Sequence, residues 1–161
     1  MRVRFSFAAA ALFLLLATSA RPAGEPSAAP SHLVARIGGF LGSTYSVELK
    51  DGTLTYTASG GGRTNIRHAT ITPTEAAWRE FRQTLNELKV WQWQNDYPRG
   101  GVMDGTQWLF EVTYSDRALK SRGDNNYPDA AGKPTGKPEF TPVFNRYLAA
   151  IKKLIGDRDF R

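Results

Sequence analysis

The sequence predicts an α+β domain: an antiparallel sheet with two amphipathic helices on one face, in the order β-β-β-(β)-α-β-β-α. Three observations predict it. Short runs alternate apolar and polar residues and are joined by turn residues; two longer stretches repeat apolar residues every three or four positions behind a capping threonine; and neighbouring strand runs are linked too closely for crossovers.

His32 to Phe40 reads as the first strand and closes on Gly38-Gly39. In the next two runs Tyr45, Val47 and Leu49 alternate with Thr44, Ser46 and Glu48, and Leu54, Tyr56 and Ala58 alternate with Thr53, Thr55 and Thr57. Asp51-Gly52 between them is a hairpin turn, because both central positions of a type I′ turn need positive φ. Gly60-Gly61-Gly62 is a loop, and Asn65 to Ile71 offers a fourth strand.

Thr72-Pro73-Thr74-Glu75 opens the first helix with Thr72 as N-cap, a proline at the first helical position and a glutamate to close a capping box. Trp78, Phe81, Leu85 and Leu88 form its apolar stripe. Trp108, Phe110, Val112 and Tyr114 line one face of the next strand, and Ser115-Asp116 turns the chain into Ala118 to Arg122. After the Pro/Gly/Lys-rich loop Gly123 to Glu139, Thr141-Pro142 starts a second helix with Phe144, Tyr147, Leu148, Ile151, Leu154 and Ile155 on one side, and Gly156 ends it.

The chain has 161 residues, of which residues 1–20 read as a cleavable signal peptide. Arg2 and Arg4 precede the apolar run Phe7 to Ala17, and Thr18-Ser19-Ala20 supplies the small residues of a cleavage site. That run is shorter than the ~20 residues a membrane span needs. Residues 21–31 read as a flexible Pro/Ala-rich leader, and residues 32–161 as a single domain. The expected location is the bacterial periplasm or the exterior. With no cysteine, the domain must hold together by apolar burial. The formal charge is +6; without Arg2 and Arg4 it is about +4, from 19 basic and 15 acidic residues. An exported basic domain meets protein surfaces and anionic envelope components sooner than nucleic acid.

Groups suited to catalysis are sparse. His32 and His68 are the only histidines, neither has a metal-ligand partner at helical spacing, and no Gly-x-Ser-x-Gly elbow occurs. Glu111, Asp96, Asp104 and Asp124 are the acids a small hydrolase would use. Asp124-Asn125-Asn126 and Asp129 gather oxygens, but the glycine and glutamate of a calcium loop are missing, which leaves a turn. No metal site or cofactor is expected.

Two segments echo each other: Gln94-Asn95-Asp96-Tyr97-Pro98 and Asp124-Asn125-Asn126-Tyr127-Pro128. The proline extends the tyrosine before it. Tyr97 and Tyr127 then either seal the ends of the core or, with Trp91 and Trp93, line an aromatic groove. Beside basic neighbours such a groove would bind a sugar or a partner's loop. The candidate binding residues are Trp93, Tyr97, Arg99, Lys120, Arg122, Asn126 and Tyr127.

Trp93…Tyr97, Asp104-Gly105-Thr106-Gln107-Trp108 and Gly123-Asp124-Asn125-Asn126-Tyr127-Pro128 ahead of an amphipathic helix resemble an uncharacterised family of small bacterial exported domains. The resemblance spans Leu88 to Ile155 and implies no activity; Ala130 to Pro138 is an insertion relative to its pattern. Gly38-Gly39-Phe40-Leu41-Gly42, with the strand and helix order, is similar to emfourin-type inhibitors of thermolysin-like metallopeptidases. The sequence thus points to an exported, non-enzymatic binding domain that contacts a protein. The alternatives are an emfourin-type peptidase inhibitor, a structural envelope protein and, last, a small hydrolase.

Overall fold

The computed structural model describes residues 28–39, 42–61, 65–99 and 105–161. Residues 1–27, which hold the expected signal peptide and most of the expected leader, lie outside them, as do Phe40, Leu41 and Asp104.

Seven strands form one sheet: β1 (His32–Gly38), β2 (Thr44–Lys50), β3 (Thr53–Ser59), β4 (Arg67–Ile71), β5 (Asp96–Tyr97), β6 (Gln107–Thr113) and β7 (Ala118–Asp124), in the spatial order β4-β3-β2-β1-β6-β7-β5. Two helices, α1 (Glu75–Glu87) and α2 (Pro142–Leu154), complete the α+β fold. Every pairing is antiparallel except the short β5–β7 ladder. The β2–β3 hairpin turns at Asp51 (φ 49°) and Gly52 (φ 77°), the two positive angles that its turn requires.

Alternation puts Leu33, Ala35 and Ile37, Tyr45 and Val47, Leu54, Tyr56 and Ala58, and Trp108, Phe110 and Val112 on one buried face. Arg36, Glu48, Thr55 and Lys120 occupy the other face, in water. Both helices cover the buried side. Phe144 lies 5.0 Å from Trp108 and Tyr147 lies 4.7 Å from Phe110, ring centre to ring centre, so α2 sits over β6. Through Trp78, Phe81 and Leu85, α1 faces the same core, and Glu80–Lys153 and Glu87–Arg146 ion pairs join it to α2. Burying each such large side chain is worth about 1.5–3 kcal/mol, so these rows hold the helices down without disulfides.

Local details depart from expectation. Thr74, not Thr72, caps α1: its hydroxyl accepts the Ala77 N–H at 3.1 Å. Pro73 therefore lies ahead of the cap, and Glu75 opens the helix instead of closing a capping box. The cap falls at Thr74 because that start places Trp78, one turn in, on the core. The first strand ends at Gly38, short of Gly39, and the expected end at Phe40 lies outside the described residues. The last residues of the leader are packed: Ala28 is buried, and the Ser31 N–H donates to Thr113 O at 2.8 Å, which lengthens the β1–β6 ladder. A 3₁₀ turn, Val90–Gln92, and β5 were not anticipated.

The start of α2 matches its sequence signature, with Pro142 at N1 and the Thr141 hydroxyl accepting the Phe144 N–H at 3.0 Å. That hydroxyl also donates to Pro128 O at 2.6 Å and is buried, so it anchors the preceding loop as well as the helix. Past Leu154, Asp157 N–H to Lys152 O and Gly156 N–H to Lys153 O form a Schellman turn on Gly156 (φ 71°). The turn sends the C-terminal tail back under the sheet, where Phe160 packs on Tyr45.

Thr74→Val should cost about 1 kcal/mol, the value of one exposed cap, whereas Thr141→Val should cost about 2 kcal/mol because two buried groups lose their partner. Urea midpoints of the two variants check the difference, and equal shifts would contradict the double role of Thr141.

Candidate functional site

The structure brings the two echoing segments together. Tyr97 in β5 pairs with Gly123 in β7; its hydroxyl donates to Gly132 O at 2.6 Å and accepts the Gln94 N–H at 2.9 Å. The Asn126 side chain donates to Pro98 O at 3.1 Å and accepts the Gly136 N–H at 2.9 Å. Its backbone carbonyl takes the Trp108 indole N–H at 2.9 Å, and Asn125 Oδ1 takes the Thr106 N–H at 2.8 Å. The indole lies so close to Gly123 that a Cβ there would stand 2.4 Å from Trp108 Nε1, so the position requires glycine. The motif residues Gly105 to Trp108 and Gly123 to Pro128 thus form a hydrogen-bonded junction between loops. The loop after Pro128 folds onto the same junction, with Asp129 Oδ1 accepting the Ala131 and Lys133 N–H groups at 2.8 Å each.

The proposed aromatic groove is not formed by these residues. Tyr97 and Tyr127 are 0% exposed, and Trp93 is buried against Trp108, Phe110, Phe144 and Tyr147. A ligand ring has no face of theirs to stack on. Lys120 and Arg122 point to the opposite side of the sheet from these rings, because they alternate along β7 with Leu119, Ser121 and Gly123. There Lys120 pairs with Glu111 at 2.7 Å and Arg122 with Asp96 at 3.3 Å. Arg99 is half-buried beside the junction, and Asn126 is a buried bridge. Alternation therefore separates the residues that the sequence grouped.

Among the described residues two of the acids, Glu111 and Asp96, are committed to these ion pairs, and Asp104 lies outside the described residues. The bond from Lys120, opposed by partial desolvation and aided by His32, holds the Glu111 carboxyl below its usual range, so Glu111 stays an anion. Desolvation works to raise Asp116, but bonds from Arg82 and Arg117 keep its carboxyl below the ordinary value. Arg82 also lies over the Tyr114 ring at 4.4 Å, clamping α1 to the β6–β7 turn. No group of three or more His, Asp or Glu side chains able to hold a metal occurs among the described residues.

What the fold leaves open is one edge of the sheet. At the β5 end the edge strand is two residues long, followed by Pro98 and flanked by the Asp96–Arg122 pair, all of which discourage further pairing. At the other end β4 presents five residues with β3 on one side, and no other element packs closely on it among the described residues. Ile66, just before β4, is 54% exposed, the one exposed large apolar side chain among the described residues. Under this edge runs a shallow groove of about 400 Å³, lined by Tyr56, Arg67, His68 and Ala69 of the sheet and by Asp157, Arg158 and Asp159 of the tail. His68 Nδ1 lies 3.1 Å from the Thr57 hydroxyl. The sequence marks β4 as a strand but carries no sign that it is terminal, since edge position depends on distant partners.

No protein-family model matches the chain, and no curated protein matches it.

All six tyrosines are buried. Burial pushes the Tyr97 phenol up to about 12, against a bond from the Gln94 backbone, and raises Tyr56, Tyr114, Tyr127 and Tyr147 as well. Their folded values exceed the unfolded one, so this stabilisation is complete below about pH 10 and is lost as the pH rises through the folded values. Phenolate absorbance of these tyrosines should therefore appear together with loss of near-ultraviolet circular dichroism, in one transition between about pH 10 and 12. Ionisation of all of them near pH 10 with the fold intact would contradict the packing described.

Proposed function

We propose that the protein is an exported, non-enzymatic binding domain that takes an extended segment of a partner protein as an added strand along β4. The supporting observation is the asymmetry of the two sheet edges. One is shortened, followed by proline and ion-paired; the other is five residues long and uncovered among the described residues, with Ile66 beside it. The outward N–H and C=O groups of β4 are an unfilled ladder, and an extended peptide completes it whatever its sequence. Export rests on the N-terminal signal pattern of residues 1–20.

Main-chain bonds alone make a weak complex. Each is worth about 0.5–1.5 kcal/mol net, whereas micromolar affinity needs about 8 kcal/mol. Ile66 and the groove must therefore supply contacts of their own, and they give the edge its selectivity. Glutamates at Ile66 and Thr70, both exposed, place charge along the edge without touching the core.

The test is capture from an envelope extract by the secreted protein, with the double variant Ile66→Glu, Thr70→Glu and the control Arg122→Ala run in parallel. A specific partner should be retained by the native protein and the control, and its affinity should fall about tenfold or more with the double variant, ~1.4 kcal/mol at least. If that partner is a thermolysin-like metallopeptidase, its activity should fall in the same order. Capture that ignores the double variant but weakens with salt would place binding on the charged sheet face, and no capture would favour a structural role; either overturns the edge reading.

A further inference from the structure

The groove beneath β4 gathers charged groups of both signs. Several exposed carboxylates elsewhere meet cations: Glu80 with Lys153, Glu87 with Arg146, Asp96 with Arg122, Asp116 with Arg82. Arg67, Asp157 and Asp159 line one groove, yet none has an ion-pair partner among the described residues.

The tail is held by bonds of its own rather than by Arg67. The Schellman turn aims it, Arg158 Nη1 donates to Ile155 O at 2.7 Å, the Tyr56 hydroxyl donates to Asp159 O at 2.8 Å, and Phe160 is buried. Tyr56 stands opposite Ala69, and Ala58 opposite Arg67, in the β3–β4 register. The anchored tail therefore lies near the Ala69 level, with Arg67 one inward-facing position away; its two carboxylates flank Arg158, whose guanidinium is turned to the Ile155 carbonyl. Inward-facing positions on a strand are two residues, or about 6.8 Å, apart.

We propose that the segment added to β4 carries opposite charges two residues apart, an anion against Arg67 and a cation against the Asp157–Asp159 tail. This inference rests on the reading of β4 as the docking edge. Such a segment satisfies charges that the fold leaves unpaired, whereas an all-acidic or all-basic segment meets repulsion at one of the two positions. Ile66 then packs an apolar residue at the end of the same segment.

Short synthetic peptides of threonine and valine test both layers at once. One set carries Glu-x-Lys or Lys-x-Glu, so that either strand direction is covered; the others carry Glu-x-Glu or Lys-x-Lys. Fluorescence anisotropy gives affinity, and amide chemical shifts of residues 66–71 of the secreted protein show where each peptide sits. A mixed-charge peptide should bind about tenfold more tightly than both like-charge peptides. Its advantage should shrink in Arg67→Gln and in Asp159→Asn, with β4 amides shifting throughout. Equal affinities accompanied by β4 shifts would overturn the charge inference and leave strand addition standing. Peptides that leave the β4 amides unmoved would overturn strand addition itself.

Discussion

The constraint on which this fold depends is that its sheet buries only one face. A row of inward side chains from Leu33 to Val112 meets Trp78, Phe81 and Leu85 of α1 and Phe144, Tyr147 and Ile151 of α2, and among the described residues no second layer covers the outward side. An antiparallel sheet tolerates this because its outward residues can be polar. Each strand consequently carries two unlike sets of side chains. On β7, Leu119 and Ser121 belong to the core while Lys120 and Arg122 belong to the solvent, although they are sequence neighbours. Any reading that groups adjacent residues into one site must fail on such a strand.

The same constraint explains the loop junction. A sheet covered on one side must be closed at its ends, and here the closure is polar as well as aromatic. Trp108 fills the end of the core, and its indole N–H needs a buried acceptor, which the Asn126 carbonyl supplies. Tyr97 answers the same need with Gly132 and Gln94. The paired Tyr-Pro segments are thus two sides of one seal, built from groups that hold structure together.

Features governed by local chemistry were legible in the sequence. Asp51-Gly52, Thr141-Pro142 and the apolar stripes of both helices each follow from a rule that spans a few residues. The first cap was misplaced because threonine stands on both sides of Pro73, and the core contact of Trp78, a tertiary fact, favours the second. The strand at Asp96–Tyr97 was not legible because two residues carry no period; only Gly123 beside it makes a ladder. The buried state of Trp93, Tyr97 and Tyr127 was left open, since an aromatic next to a proline reads alike inside a core or outside one. The free edge was least legible of all. His68 and Arg67 are visible in the sequence, but β4 is terminal only because the chain leaves for α1 and returns to the sheet at β5 and then β6, both on the far side of β1.

The most direct measurement is amide hydrogen exchange of the isolated protein, resolved residue by residue across the sheet. The account predicts the slowest exchange in β1 and β6 at the centre. Within β4 it predicts a two-residue alternation, with N–H groups paired to β3 protected and those facing outward exchanging as fast as loop amides. Uniformly slow exchange from Arg67 to Ile71 would mean that this edge is already covered in solution, and would contradict the account.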